Sequence, residues 1–168
     1  FDPKAAPMVA KAGYGESFDF QNLCGLLALQ LTGAEAVKAI TFLGKDEVGN
    51  SIPVSGTFSV PMDYETAPEQ VPGDPDANPM AQSSMTQSSV TLTCETPVQL
   101  SETAVPFYFV LPAATYSSFM VMIYTDEGKV MVKEATKPLT ITRSHVKPTA
   151  ALQYAENVYF GKPSGLMD

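Results

Sequence analysis

At 168 residues the chain suits one domain, and its 45% hydrophobic content can build a core, which excludes global disorder. Only 17% of residues are charged, the formal net charge is −8 and the basic residues are scattered singly, which excludes nucleic acid and anionic membrane surfaces as partners, because both need a basic footprint. No run approaches the roughly 18 apolar residues of a membrane-spanning helix, since the longest apolar segment, Leu23 to Leu31, is broken by Gly25 and Gln30.

The chain opens at Phe1 with no charged-then-apolar leader, so a signal peptide or lipid-anchor cysteine is expected to lie upstream, already removed. Phe18 to Leu31 reads as a long strand, bulged near Gly25 where a missing side chain eases the disruption of the ladder. After the polar break Thr32 to Glu35, Val37 to Leu43 is the next strand. Its alternation puts Val37, Ala39, Thr41 and Leu43 on one face, with Ile40 and Phe42 on the other. The turn formers of Gly44 to Asn50 and a returning strand, Ile52 to Val60, make this a predicted hairpin.

Residues 61–89 are the compositional outlier. They carry Pro61, Pro68, Pro72, Pro75 and Pro79 among Asp63, Glu65, Glu69, Asp74 and Asp76, with no lysine or arginine. The segment is predicted to be a long acidic loop. Beyond it, Val90, Leu92 and Cys94 alternate with Thr91, Thr93 and Glu95 in the pattern of a half-buried sandwich strand. Pro106 to Leu111 is an aromatic strand. Phe119 to Tyr124 and Val130 to Lys133 form the clearest hairpin, with Gly128 placed where the turn needs positive φ. Leu139 to Thr142 is a short strand, and Ala151 to Tyr154 a further one. Roughly seven or eight short strands without any helical period predict an all-β fold, an antiparallel two-sheet β-sandwich. The expected domain is 1–168, with the loop 61–89 and a tail, 155–168, whose apolar Val158, Tyr159 and Phe160 suit a donated strand, an edge strand folded back on its own sheet, or a frayed end.

Catalytic chemistry is hard to place on this sequence. His145 is the only histidine, it directly follows a predicted strand, and no serine sits in a nucleophile elbow. One histidine and two separated cysteines cannot supply a zinc site. Asp74-Pro75-Asp76-Ala77-Asn78 has the alternating oxygens of a calcium loop but lacks its glycine and terminal glutamate, so a solvated acidic loop is expected. Asp46, Glu47, Asp126 and Glu127 are turn residues. Gly13-Tyr14-Gly15 precedes a strand, which does not suit a dinucleotide site. The expectation is therefore no enzyme, no cofactor and no metal. Tyr14, Tyr64, Tyr116 and Tyr154 are candidates for a carbohydrate-stacking platform, with core or rim packing weighed above that role. The eight methionines, Met120, Met122 and Met131 among them, are expected to fill core gaps. Cys24 and Cys94 leave two readings open. They either form a disulfide, closing a loop of about 70 residues and worth about 4 kcal/mol, or serve as small buried hydrophobes.

Two segments carry a resemblance. Phe18-Asp19-Phe20-Gln21-Asn22-Leu23-Cys24-Gly25-Leu26-Leu27-Ala28-Leu29-Gln30-Leu31-Thr32-Gly33 resembles a strand of the fimbrillin-like proteins of Bacteroidetes. Pro106-Phe107-Tyr108-Phe109-Val110-Leu111-Pro112, followed by Phe119 to Tyr124 and the Asp126-Glu127-Gly128 turn, resembles a later stretch of the same family, in matching order. The resemblance implies a transthyretin-like sandwich on a secreted, usually lipidated protein at the outer-membrane surface. It also implies a structural or adhesive role, and partners that are other pilus or surface subunits joined by strand addition. A ligand- or carbohydrate-binding module of a nutrient-capture system is the alternative. The match opens in what is the middle of a family member, so upstream strands are expected before Phe1.

Overall fold

The computed structural model describes residues 7–56, 58–59, 69–70 and 86–157. Among them the order is β1 (Met8–Lys11), β2 (Asp19–Asn22), β3 (Cys24–Thr32), β4 (Ala36–Lys45), β5 (Ser55–Gly56), β6 (Phe58–Ser59), β7 (Glu69–Gln70) and β8 (Thr86–Gln87). There follow β9 (Ser89–Gln99), β10 (Val105–Pro112), β11 (Ala114–Tyr116), β12 (Ser118–Thr125), β13 (Val130–Ala135), β14 (Leu139–Ile141), β15 (Val146–Pro148) and β16 (Leu152–Gln153). No helix occurs among the described residues.

The fold is an all-β sandwich. One sheet runs β13-β12-β4-β9, and the other runs β10-β3-β15 with β16 also on β3. Alternation along β3 and β10 buries Leu27, Leu29, Leu31, Phe107, Phe109 and Leu111 against Ile40, Phe42, Val121 and Ile123 of the facing sheet. Phe42 is the bridge between layers: its ring lies 6.1 Å from Phe109, 5.6 Å from Tyr116 and 5.6 Å from Phe119. The β12–β13 hairpin forms where predicted, with Gly128 at φ 80°. Val90, Leu92 and Cys94 pack on the core as expected.

Four local readings are corrected. The long first strand breaks at Leu23 into β2 and β3, and Gly25 marks a close approach rather than a bulge. A Cβ at Gly25 would run into the main-chain carbonyl of Thr142 and come within 2.8 Å of Ile141 Cγ2. Val37 is fully buried beside Ile40 and Phe42, because a register shift between Val37 and Ala39 moves it to the core face. The predicted hairpin closes at its turn alone: Lys45 bridges Ser51 and Ile52 N–H donates to Gly44 C=O at 2.9 Å, after which β5 pairs with β8 and β6 with β7, while β4 takes β9 and β12 as partners. The predicted loop 61–89 accordingly contains β7, β8 and the start of β9, and the rest of it lies outside the described residues.

The sandwich is also not purely antiparallel. β15 and β16 both pair with β3 in parallel, through Val146↔Leu26 and Leu152↔Leu31. The small pair β11–β14 closes one end of the core with Tyr116, Leu139 and Ile141. It fits because Gly25 and Gly44 present no side chain beneath it. A Cβ at Gly44 would overlap the Tyr116 ring.

Candidate functional site

The residues singled out for chemistry do not converge. Cys24 starts β3 on the face opposite Leu27 and Leu29, whereas Cys94 belongs to β9 in the other sheet, and both are free thiols. Of the two readings left open, this arrangement has the cysteines as partly buried small side chains. Cys24 lines a cavity of about 230 Å³ together with Asn22, Gly25, Leu26, Ser144 and His145. Burial pushes its thiol up, with Arg143 only partly offsetting this, the wrong direction for a nucleophile. The His145 ring nitrogen Nδ1 lies 2.7 Å from the Arg143 carbonyl oxygen, and among the described residues no carboxylate lines the cavity to orient the imidazole. Ser144 takes φ 61° in the tight turn before β15, where its hydroxyl accepts a hydrogen bond from Asn22 at 3.1 Å. These groups tie a turn to the strand beside it.

A second cavity of about 460 Å³ lies at the opposite end, lined by Thr32, Gly33, Glu35, Glu102, Gln153 and Tyr154. Among the described residues, no three His, Cys, Asp or Glu side chains come together in a way that could hold a metal ion. The calcium-like segment 74–78 lies outside the described residues. Asp46 works within its own turn, accepting the amides of Val48 at 3.0 Å and Asn50 at 2.8 Å, and Glu127 pairs with Lys129 at 2.8 Å.

The tyrosine platform separates in the same way. Tyr116 and Tyr154 are core residues, Tyr14 is fully exposed and Tyr64 lies outside the described residues. The Tyr154 hydroxyl is buried without a hydrogen-bond partner among the described residues. Tyr154→Phe is therefore expected to be neutral, or to stabilise by up to about 1 kcal/mol, measured as the shift in urea midpoint. A clear loss of stability would show that the hydroxyl is bonded.

What the fold does present is surface. The hairpin β1–β2 carries Phe18 at 70% and Phe20 at 63% exposure with rings 6.3 Å apart, and Tyr14 stands at its turn. In sequence these phenylalanines are the start of the long strand predicted from Phe18 to Leu31, and nothing there singles them out. Met131 is in the core, but alternation against buried Val121 and Ile123 turns Met120 and Met122 to the outer face, correcting the reading of all three as core filler. There they neighbour Leu43 and Val132 across the ladder, all four half-buried. The outer edges of β9 and β10 have no strand partner among the described residues. The sequence matches no protein-family model and no curated protein.

Proposed function

We propose that this chain is a non-enzymatic subunit of a bacterial cell-surface structure of the fimbrillin-like kind, with a structural or adhesive role on the outer face of the outer membrane. The observation that carries the reading is the relation of the two resembling segments. They are hydrogen-bonded neighbours, β3 and β10, paired in unbroken register from Val105↔Leu31 to Pro112↔Cys24. Further subunits join through main-chain hydrogen bonds at an open sandwich edge, the tail supplies the donated strand, and the membrane is reached through a lipid anchor upstream. Truncation of residues 158–168 is expected to abolish concentration-dependent oligomers in light scattering. Unchanged oligomers in the truncated chain would sink the strand-donation route.

The Phe18–Phe20 pair and Tyr14 favour a second reading, a carbohydrate-binding module that stacks sugar rings on exposed aromatics. A glycan array decides it: binding lost in Phe18→Ala or Tyr14→Ala supports it, and a blank array removes it.

A further inference from the structure

The outer edge of β13 carries a contact whose chemistry points beyond packing. Thr125 N–H donates to Lys129 C=O at 3.0 Å, which sets the β12–β13 register and leaves the main-chain groups of Val130 and Val132 directed away from β12. Such an edge is a template for pairing with another strand. Here it is already taken. After β16 the chain crosses to the facing sheet, where Ala155 N–H meets Met131 Sδ at 3.1 Å. The Asn157 amide then donates to Val130 C=O at 3.2 Å. Its side chain completes the contact, with Oδ1 accepting Val132 N–H at 2.9 Å and Nδ2 donating to Val132 C=O at 3.2 Å. A carboxamide is one donor group and one acceptor on a single plane, so it offers Val132 the same two bonds as an incoming strand.

We propose that Asn157 is an edge guard, which by occupying Val132 keeps β13 from pairing antiparallel with β13 of a second copy. The chain itself is the fitting competitor. Although its net charge of −8 opposes self-contact, two of the acids beside this edge are ion-paired. Glu127 is bound to Lys129 at 2.8 Å, and Lys45 lies 3.6 Å from Glu134. Val130 and Val132 would extend the apolar outer face of Met122 and Tyr124 across the new pair. The guard is independent of the surface-subunit reading, since it concerns an edge that strand donation would find closed.

Sedimentation velocity over a concentration series tests it with the full chain, Asn157→Ala and the double variant Asn157→Ala/Val132→Pro. Freeing the two outward groups of Val132 in each copy predicts a self-association constant at least about tenfold tighter in Asn157→Ala. The Val132 amide should then exchange fast in dilute solution and become protected in concentrated solution. In the double variant, proline removes the outward N–H without touching the β12 ladder, and association should return to that of the unmodified chain. The guard is overturned if Asn157→Ala sediments like the unmodified chain at every concentration. It is equally overturned if the double variant associates as strongly as the single one.

Discussion

Phe42→Ala is expected to cost about 3–5 kcal/mol, a large share of the roughly 5–15 kcal/mol that holds a domain of this kind folded. Phe42 has no exposed surface and touches three aromatic rings at once. Phe119 shares its sheet, Phe109 comes from the facing sheet, and Tyr116 belongs to the small pair that closes the end. Truncation therefore opens a cavity where three pieces of structure meet, and no single neighbour can move to fill it without leaving another. Urea unfolding measures the loss. Phe42→Leu, which keeps most of the volume, should lose less than half as much. A cost for Phe42→Ala below about 1 kcal/mol, the scale of an ordinary surface-tolerant change, would mean that the sheets are not packed together there.

Gly25→Ala is the second large effect, expected at about 3 kcal/mol or more, the upper end of overpacking. The obstacle is the Thr142 carbonyl, which is main chain and cannot rotate aside. Gly44→Ala makes the informative contrast, because its obstacle is the Tyr116 ring. Its cost should shrink when Tyr116 is also changed to Ala, a coupling that a double-mutant cycle reads directly, while no side-chain truncation rescues Gly25→Ala. Gly49 is the control. A Cβ there meets nothing within 4 Å, and only its φ of 88° remains to strain alanine, by about 1–2 kcal/mol. If Gly25→Ala cost no more than Gly49→Ala, β14 would not sit over β3 as described.

The cysteines show what strand patterns leave open. Both occupy patterns that suggest burial, and both are half-buried. Which face each strand turns inward depends on partners remote in sequence. Cys24 falls on the outer side of one sheet and Cys94 on the other sheet, and the two thiols stand free. The methionines divide for the same reason, Met131 inward and Met120 and Met122 outward. In the candidate sites the histidine, the acids and the tyrosines were all visible in the sequence. Their separation was not, because it is set by strand order.

Alternation and turn chemistry are local, and they determined the class of this protein. Period-two patterns in β4, β9, β10 and β12, with Gly128 in its turn, require a sandwich of half-buried strands before any contact is known. The tertiary structure alone decided what depends on distant neighbours. It set the breaks at Leu23 and after Val37, the parallel placement of β15 and β16 on β3, the reason Gly25 and Gly44 must be glycine, and the capture of the β13 edge by Asn157. Each is a meeting of main chain with main chain or with a ring, and no pattern within one segment can encode where another segment will lie.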